Sequence, residues 1–509
     1  MRRVVVVGGG ITGLTTALHL KDRATQVPGG LEVLVLEASD RPGGNIRTDR
    51  VEGFTIETGP NGYLDNVPTT PALVRRLGLE TEVQRADESA AQRFLYRDGR
   101  LHLLPSGPVG FLRSPVLSLP GRLRVLGEPF ARRRPEGVDE TIFQFASRRI
   151  GDEAASVLID AMVSGVFAGD VHELSLASSF PRMAAMEEEH GGLVKAMVAR
   201  MKDRRTAKRE ARKRRSRGEN FQDLVQPGGP AGPGGTLTSF RQGLDTLPMV
   251  LARELGGAVR FGVEVVAVAW KGGKDVSAET SGADCGEGGE GSRGESMAPW
   301  AIRTAAGEEL FADAVVVAVP SPRAQSILAN LDGTLSATVG EIRTAGLAVV
   351  ALAFQASAMG GAPKGFGFLV PRGVGPRILG CLWDSSIFPG RAPEEKVLLR
   401  AMIGGAHDPG AVGEEEGTLI SHVRSDLETT MGLTAEPLFS RVYRWPLGIG
   451  QYTVGHGGRM EAIRTRLEER PGLWIAGSSF YGISMNACIE KAGEQAAEIL
   501  SSLGAKNGQ

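Results

Sequence analysis

Short apolar runs separated by glycine-rich breaks dominate the first fifty residues. Val4–Val7 is a run of β-branched residues, the composition of a strand buried in a parallel sheet. The segment GGGITG follows at residues 8–13, and apolar residues then recur at helical spacing through Leu18. A second apolar run, Leu31–Leu36, ends at Glu37. The pattern predicts a strand, a tight turn, a helix and a second strand.

The glycine segment at residues 8–13 has the form G-x-G-x-x-G in this strand-to-helix context. Its first glycine makes the tight turn, its second lets a pyrophosphate approach the backbone, and its third packs the helix on the strand. Glu37 lies 37 − 13 = 24 residues beyond Gly13 and is placed to accept hydrogen bonds from a ribose. A second match, GEGGEG at residues 286–291, has no strand before it and is set aside. We therefore predict a dinucleotide site at the first match.

The remaining pattern predicts several further elements. Residues 93–104 form a β-hairpin pattern, residues 105–221 change to helical patterns broken by prolines, and α/β character returns from Thr236. Successive strand patterns at 347–354, 365–371, 378–383 and 397–403 predict an antiparallel sheet. A buried strand at 473–477 precedes a helix that begins near Ser484. The fold class predicted is α/β, or α+β overall.

Composition excludes several classes of protein. The 509 residues carry 58 Lys and Arg against 59 Asp and Glu, so there is no global attraction to nucleic acid. The basic run at 200–217 suggests binding to nucleic acid or to anionic lipid, but it contains no aromatic residue for base stacking, and we favour a solvated helix end running into a loop. Three cysteines show no metal-ligand spacing, which is typical of a reducing cytosol. No signal peptide and no spanning segment are recognisable, and we expect no metal.

A second glycine pair, in LEASDRPGGNIRT at residues 36–48, follows the ribose acid. This segment resembles the extended fingerprint of FAD-dependent amine oxidases. SGVFAGD at 164–170, GFGFLVP at 365–371, QYTVGH at 451–456 and GLWIAGSSFYGISMNACIEKAGEQAAEIL at 472–500 extend the likeness over nearly the whole chain. Together they resemble the oxygen-dependent protoporphyrinogen IX and coproporphyrinogen III oxidase family of haem biosynthesis.

The resemblance implies the domain organisation. A discontinuous, Rossmann-like FAD-binding domain would comprise residues 1–88, 236–325 and 441–503. A substrate-binding domain built on the antiparallel sheet would comprise residues 89–105 and 326–440. A mostly helical domain, open to contact with a membrane, would comprise residues 106–226, and flexible inserts would lie at 227–235 and 271–299.

The resemblance also implies the chemistry. The family removes six hydrogens from a porphyrinogen in three two-electron steps, and O2 reoxidises FAD to give hydrogen peroxide. The substrate pocket would use Arg93, Gly165, Phe366, Leu369, Leu382, Met402 and Ile449. FAD would contact Gly8, Gly9, Gly10, Ile11, Thr12, Gly13, Glu37, Ala38, Gly44, Asn45, Gly59, Pro60, Asn61, Gly62, Val265, Trp445, Ser478, Ile483, Ser484 and Met485.

No catalytic base stands out among the scattered histidines. Hydride transfer to the flavin makes a protein base unnecessary, so no catalytic residue is assigned. The chain departs from the family pattern at two positions. Gly450 stands where the family usually has proline and would loosen the loop carrying Ile449, and Ala487 stands where it usually has aspartate and would change flavin potential or affinity.

Four functions remain open. The first two are oxidation of protoporphyrinogen IX and oxidation of coproporphyrinogen III. The third is another flavin amine oxidase or a carotenoid desaturase, and the fourth is a nonenzymatic flavin-binding scaffold in a membrane-associated assembly. A flavin monooxygenase is disfavoured because no second fingerprint has the right context. We expect a cytoplasmic protein, with peripheral contact at the inner face of the cell membrane, handoff of product to a ferrochelatase and a homodimer as open expectations.

Overall fold

The structure is a computed structural model of the chain. It describes residues 1–105, 108–135, 137–199, 202, 235–271 and 298–504. The basic run at 200–217, except residue 202, and nearly all of the two predicted inserts at 227–235 and 271–299 lie outside the described residues.

The strands and helices are numbered in chain order within the described residues. The strands are β1 (Arg2–Val7), β2 (Leu31–Glu37), β3 (Thr48–Val51), β4 (Phe54–Glu57), β5 (Tyr63–Leu64), β6 (Val83–Arg85), β7 (Arg93–Arg97), β8 (Arg100–Leu103), β9 (Leu237–Phe240), β10 (Val259–Phe261), β11 (Val265–Trp270), β12 (Trp300–Thr304), β13 (Glu309–Ala312), β14 (Ala314–Val317), β15 (Thr344–Gln355), β16 (Gly367–Leu369), β17 (Gly380–Leu382), β18 (Lys396–Gly404), β19 (Phe439–Gly450) and β20 (Leu473–Ile475). The helices are α1 (Ile11–Asp22), α2 (Thr69–Arg76), α3 (Pro108–Arg113), α4 (Leu119–Leu126), α5 (Ile142–Ile150), α6 (Asp152–Ala154), α7 (Asp160–Phe167), α8 (Leu176–Ser179), α9 (Pro181–His190), α10 (Thr246–Leu255), α11 (Ser321–Leu328), α12 (Gly333–Gly340), α13 (Asp384–Ile387), α14 (Glu416–Met431), α15 (His456–Glu468) and α16 (Met485–Ser502).

A five-stranded parallel sheet has the order β10-β2-β1-β14-β20. Its central strand β1 contains the predicted run Val4–Val7, in which no residue is more than 3% exposed. The predicted strand, glycine turn, helix and second strand at the N-terminus are all present as β1, α1 and β2. Because all five strands are parallel, their carboxyl ends meet at one edge, where ligands bind in open α/β sheets.

Both faces of this sheet are covered, one by helices and the other by helices together with the antiparallel sheet β11-β12-β13. Val4 and Val6 belong to a buried cluster with side chains of α1, α10 and α16, whereas Val5 and Val7 belong to a cluster with side chains of α11, α12 and α15. Side chains alternate across a strand, so one run of valines reaches both layers. The continuous apolar run in the sequence therefore follows from burial on both sides.

A seven-stranded sheet has the order β19-β15-β18-β17-β16-β7-β8. It contains the predicted hairpin as β7 and β8 and the four predicted strand patterns as β15, β16, β17 and β18. Its neighbours pair antiparallel with one exception, because β7 pairs parallel to β16. The hairpin comes from a distant part of the chain, so no short turn imposes an antiparallel pairing on it.

The two faces of the seven-stranded sheet differ. One face carries Phe368, Cys381 and Ala401, which pack against Leu419 and Val423 of α14. Side chains on alternate positions of the same strands point the opposite way, away from α14. That second face carries four of the seven predicted substrate residues.

The chain between β8 and β9 is helical where it is described. It contains α3 to α9, and a π-helical turn at Ala155–Ile159 precedes α7. Thr141 and Gln144 form a reciprocal capping box at the start of α5. Among the described residues, none of the helices combines the length and apolar character needed to cross a membrane.

The proposed domain division remains a prediction. The strand β19 pairs with β15 in the seven-stranded sheet, so the predicted boundary between residues 440 and 441 falls inside a strand. The strand β9 pairs with both β5 and β6, which joins the chain after residue 236 to the N-terminal segment.

Candidate active site

The glycine turn after β1 is shaped by close backbone contacts. A Cβ added to Gly8, whose φ is +110°, would lie 2.6 Å from the Ala318 carbonyl oxygen. A Cβ added to Gly13 would lie 2.1 Å from the Gly8 carbonyl oxygen. A Cβ added to Gly10 would meet no atom within 4 Å. Packing therefore requires glycine at the first and last of these positions, while Gly10 leaves an open space beside the turn.

The N-terminus of α1 opens onto this space. Gly10 precedes the helix and has no side chain to cap it, so the N–H groups of Ile11, Thr12 and Gly13 have no partner within the helix. The first intrahelical bond runs from the Leu14 N–H to the Gly10 carbonyl oxygen, at 3.0 Å. Free N–H groups and the positive end of the helix dipole form a site for an anion such as a pyrophosphate.

Glu37 lies at the end of β2 beside the same turn. One of its carboxylate oxygens accepts from the Gly9 N–H at 2.5 Å, and the other accepts from the N–H and hydroxyl of Ser39 at 2.9 and 2.6 Å. Ala38, the next predicted contact, is exposed. The carboxylate is thus held at the carboxyl edge of the parallel sheet, with acceptor capacity left for a ribose hydroxyl.

The second glycine pair packs directly on the first. The Gly43 N–H donates to the Gly9 carbonyl oxygen at 2.8 Å, and a Cβ added to Gly44 would lie 3.5 Å from the Gly10 Cα. Gly44 itself is exposed. The structure therefore brings both glycine segments to one point, as the sequence predicts.

The loop after β4 continues this cluster. A Cβ added to Gly59 would lie 2.2 Å from the Asn45 carbonyl oxygen, and the Asn45 amide donates to the Gly448 carbonyl oxygen at 2.9 Å. The Trp445 indole N–H donates to the Thr58 carbonyl oxygen at 2.5 Å. Three predicted cofactor residues, Asn45, Gly59 and Trp445, are consequently in one neighbourhood although 400 residues separate the first from the last.

The other members of the loop have distinct surroundings. Pro60 is exposed, and a Cβ added to Gly62 would lie 2.5 Å from the Thr238 carbonyl oxygen. The Asn61 Nδ2 atom is buried and has no hydrogen-bond partner among the described residues. A buried amide without a partner is costly unless a ligand or water satisfies it.

The last predicted cofactor segment is fastened by Tyr452. Its hydroxyl donates to the Ser478 carbonyl oxygen and accepts from the Gly482 N–H at 2.8 Å. Ser484 caps α16 by accepting from the Ala487 N–H at 3.1 Å. The N-terminus of this helix is therefore capped by a hydroxyl, and the expected effect of Ala487 on the flavin remains a prediction.

Three further predicted residues bring the ends of the cofactor segments together. Met485 at the start of α16 and Ile11 at the start of α1 belong to one buried cluster, and the side chains of Cys488 and Thr12 interact, so the two helix N-termini lie close to each other. Ile483 packs against the cluster that contains Tyr452, and Val265 lies with Val7 at the carboxyl edge of the parallel sheet.

Four predicted substrate residues lie on one face of the seven-stranded sheet. The pairing of Leu369 with Gly380, of Gly380 with Met402, and of Leu382 with Gly367 places these side chains on the same side. Gly367 also pairs with Arg93, which adds the guanidinium to that side. This is the face turned away from α14, and we call Arg93, Leu369, Leu382 and Met402, together with Phe366, the wall.

The wall is apolar apart from one cation. The Arg93 guanidinium carbon lies 4.9 Å from the centre of the Phe366 ring, and burial lowers the pKa of this arginine. A Cβ added to Gly165 would lie 2.5 Å from Leu369 Cδ2, so α7 packs on the wall at a glycine. All seven predicted substrate residues are half-buried, unlike the fully buried residues on the opposite face of the sheet.

Ile449 lies apart from the wall. It belongs to β19, at the edge of the sheet, and packs with Ile483 against the cluster of the helical part. The expectation that Gly450 loosens a loop around it is wrong, because Ile449 and Gly450 pair with Ala345 and Thr344 of β15. Gly450 is buried, and a Cβ there would lie 3.0 Å from the Ser479 Cα.

The sequence assigned no role to the histidines and no metal site. His456 stacks on Tyr452 with ring centres 4.3 Å apart, and its Nε2 lies 3.2 Å from the Phe480 carbonyl oxygen. Burial lowers the pKa of this imidazole to about 4, so it is neutral and supports the loop. Among the described residues, no group of three or more His, Cys, Asp or Glu side chains could hold a metal ion.

Sequence reasoning missed a buried group of charges behind the site. Glu57, Asp384, Arg391 and Arg400 are each at most 2% exposed. Arg391 pairs with Glu57 at 3.0 Å, and Arg400 pairs with Asp384. A charge inside the apolar run VLLRAMI at 397–403 was the available signal, because such a residue is rarely buried without a partner.

The residues at the carboxyl edge of the parallel sheet fit a dinucleotide. They offer the uncapped N-terminus of α1, the Glu37 carboxylate at the end of β2 and the open space beside Gly10. They also offer the buried Asn61 amide, which has no partner among the described residues. The wall lies beside the loop that carries the buried amide of Asn61, because Arg400, in register with Leu382 of the wall, donates to the Gly59 carbonyl oxygen at 3.1 Å. The individual residue assignments remain predictions.

Comparison with known proteins agrees with this geometry. The flavin containing amine oxidoreductase family matches residues 11–500. Coproporphyrinogen III oxidase of Bacillus subtilis (strain 168) is 29% identical, over 99% of this chain and 98% of its own. Protoporphyrinogen oxidase of Homo sapiens is 32% identical, over 98% of each chain.

The fold agrees in the same way. A crystal structure from Exiguobacterium sp. 255-15, assigned as protoporphyrinogen oxidase, has a TM-score of 0.76 and 25% identity, over 98% of each chain. The predicted α/β fold class is confirmed, as is the family resemblance. A flavin is the cofactor that this family implies. The chain therefore belongs to the flavin containing amine oxidoreductase family, within the group of protoporphyrinogen and coproporphyrinogen III oxidases.

Proposed function

We propose that this chain is an FAD-dependent oxidase that converts protoporphyrinogen IX to protoporphyrin IX. The reaction removes six hydrogens while three O2 become three H2O2. The observation that carries the proposal is the wall: four half-buried apolar side chains with Arg93 stacked on one of them, next to a loop of the proposed dinucleotide site. Coproporphyrinogen III is the alternative substrate, supported by the named activity of the Bacillus subtilis relative.

FAD is the proposed cofactor. Its pyrophosphate would lie at the N-terminus of α1, beside Gly10, and its adenosine ribose at Glu37. The loop of residues 59–62 and the segment from Ser478 to Met485 would enclose the rest of the molecule. When bound, FAD would supply the two-electron oxidation and the reaction with O2.

The wall supports a large apolar substrate in two ways. Phe366, Leu369, Leu382 and Met402 offer a surface from which a macrocycle displaces water, and burial of apolar area stabilises that contact. Arg93 would pair with a propionate carboxylate, and its partial burial strengthens such a pair. The chain's own residues thus bind, orient and exclude water, and no protein group is assigned to take a proton.

The number of propionates separates the two substrates. Protoporphyrinogen IX carries two and coproporphyrinogen III carries four, so the second needs more cationic partners. By the same strand register, the described part of the wall face carries Arg93, Arg97, Lys396, Arg400 and Arg441, and of these Arg400 is paired with Asp384. The choice of protoporphyrinogen IX rests instead on the named activity of the Homo sapiens relative, which is 32% identical.

Anaerobic bleaching of the flavin tests the proposal. Purified protein is mixed with protoporphyrinogen IX or coproporphyrinogen III without oxygen, and the flavin absorbance is followed. Oxygen is then admitted, and porphyrin fluorescence and peroxide are recorded. We expect faster bleaching with protoporphyrinogen IX and three peroxides per porphyrin. A flavin-containing protein that neither porphyrinogen bleaches would refute the proposed function and favour another amine oxidase or a scaffold.

We also propose peripheral contact with the inner face of the cell membrane, in an otherwise cytoplasmic protein. Leu119, Leu123 and Leu126 on α4 are 62%, 58% and 47% exposed, and Phe130 is 90% exposed. Exposed arginines, Arg132 among them, flank this surface, which suits an anionic bilayer. Phe130→Glu should reduce sedimentation with phosphatidylglycerol vesicles, whereas Leu438→Glu, at a distant exposed leucine, should not. Equal sedimentation of both variants would refute this contact.

Two further proposals rest on the family resemblance alone. The product would pass to a ferrochelatase, and the protein would form a homodimer. Light scattering of the purified protein tests the dimer, which should show twice the mass of one chain. Addition of a porphyrin-binding competitor tests the handoff, because direct transfer to the ferrochelatase should continue in its presence.

A further inference from the structure

A pair of opposite charges is buried where the strand β4 meets the seven-stranded sheet. Arg400 and Asp384 are each 2% exposed, and the Arg400 Nη2 lies 3.1 Å from Asp384 Oδ1 while its Nε donates to Oδ2. This is a bidentate arginine–carboxylate pair. Burying two charges is costly, and a pair of hydrophobic residues would often be at least as stable. Such a pair therefore calls for a role besides stability.

The remaining guanidinium nitrogen of Arg400, Nη1, donates to backbone carbonyl groups. The acceptors are the carbonyl oxygens of Glu57 and Gly59, the second at 3.1 Å. The carbonyl oxygen between them, on Thr58, accepts from the Trp445 indole. Three successive carbonyl groups at the end of β4 are thus fixed by side chains of the sheet. The loop of residues 59–62, which carries the buried unpartnered amide of Asn61, begins at the last of these.

The strands next to this ion pair, β17 and β18, also carry part of the wall. Arg400 pairs in register with Leu382, and it lies two residues before Met402 on the same side of β18. Asp384 follows Leu382 by two residues, at the first position of α13. The ion pair therefore links the strands that present the wall to the loop that forms one border of the dinucleotide site.

We propose that Arg400 and Asp384 form a positioning pair, which holds the loop of residues 59–62 in register with the wall so that bound FAD and substrate are correctly placed. Neither side chain needs to touch FAD, since Arg400 acts through the carbonyl groups of Glu57 and Gly59. The proposal rests on the proposed function, because it takes that loop as a border of the FAD site.

The test compares FAD binding by full-length variants. In Arg400→Lys the ammonium can pair with Asp384 but cannot hold the carboxylate and two carbonyl groups together. We expect its FAD dissociation constant to rise at least tenfold, with faster release of fluorescent flavin from the diluted holoprotein and a shifted visible spectrum of the flavin that stays bound. Asp384→Asn should move all three quantities in the same direction.

The matched control is Arg149→Lys. Arg149 is fully buried and pairs with Glu128 at 2.5 Å in the helical part of the chain. We expect this variant to lose thermal stability but to keep the wild-type dissociation constant and flavin spectrum. The double variant Arg400→Met with Asp384→Leu leaves no stranded charge, so it keeps the test decisive if the single variants fail to fold.

The outcomes separate the two proposals. Wild-type dissociation constant and spectrum in the Arg400 variants, or in the double variant, would overturn the positioning pair. Equal loss of FAD affinity in the Arg149→Lys control would overturn it too, because the effect would then follow from stability alone. A wild-type protein that binds FAD but oxidises neither porphyrinogen would refute the proposed function, while the comparison of dissociation constants would still decide the role of the pair.

Discussion

Alanine at Gly10 and alanine at Gly13 should impair different properties, although the two glycines belong to one motif. A Cβ on Gly13 would lie 2.1 Å from the Gly8 carbonyl oxygen and 3.2 Å from Val6 Cγ1. Because a backbone atom cannot rotate away, α1 must move from β1, and such overpacking costs about 1–3 kcal/mol. Gly13→Ala should therefore destabilise the protein even without FAD.

Gly10→Ala should leave the flavin-free protein unchanged. The Gly10 φ and ψ of −71° and 174° suit alanine, and an added Cβ meets no atom within 4 Å. We expect its unfolding free energy to stay within about 0.5 kcal/mol of wild type. The methyl group would, however, enter the space proposed for the pyrophosphate. We expect at least a tenfold weaker FAD affinity, about 1.4 kcal/mol.

Two measurements on each variant decide the matter. Urea unfolding of the flavin-depleted protein gives stability, and titration with FAD, followed by quenching of flavin fluorescence, gives affinity. Wild-type FAD affinity in Gly10→Ala would refute the placement of the pyrophosphate. Wild-type stability in Gly13→Ala would refute the contact between the helix and the strand.

Three further predictions concern Arg93, Tyr452 and His456. Arg93→Met should raise KM for a porphyrinogen about 10- to 100-fold with little change in kcat, because it removes a charge-assisted hydrogen bond of about 1.5–3 kcal/mol. The control Arg441→Met, on the same sheet face, should leave KM unchanged. Equal KM values in the two variants would contradict the role of Arg93. Tyr452→Phe removes the hydrogen bonds of the hydroxyl to the Ser478 carbonyl oxygen and to the Gly482 N–H, so FAD release should quicken several-fold. An unchanged release rate would show that these two bonds do not retain FAD. The pKa of His456 is about 4 in the folded protein against an ordinary 6.5, so the unfolded chain binds the proton more readily between pH 4 and pH 6.5. The free energy of unfolding should therefore be unaffected by this group above pH 6.5 and should fall by about 3 kcal/mol as the pH drops to 4. His456→Gln should flatten that decline in urea unfolding, and a decline as steep as in wild type would assign it to other groups.

The strand, glycine turn and helix at the N-terminus were readable in the sequence because their signals are local. A β-branched run predicts β1, three glycines predict the turn, and periodic apolar residues predict α1, each from contacts within about twenty residues. The same holds for the β7–β8 hairpin and for the start of α16 at Ser484. In each case the residues that decide the conformation are neighbours in the chain.

The wall needed both sources of information. Leu369, Leu382 and Met402 were predicted from family motifs, but only strand register places them on one face with Arg93. A shift of one residue in any strand would turn its side chain toward α14 instead. The parallel pairing of β7 with β16 is likewise set by tertiary packing, because no turn connects those strands.

The amino-acid sequence by itself determined the N-terminal strand–turn–helix unit, the β7–β8 hairpin, the strand patterns of the seven-stranded sheet and the family, because propensity, periodicity and motif spacing act over short distances. The tertiary structure alone decided the partners of the buried charges. Arg400 meets the carbonyl group of Glu57 across 343 residues, and Arg391 meets the carboxylate of the same residue. Opposite charges can be buried only where folding brings them into contact, and no local pattern specifies that contact.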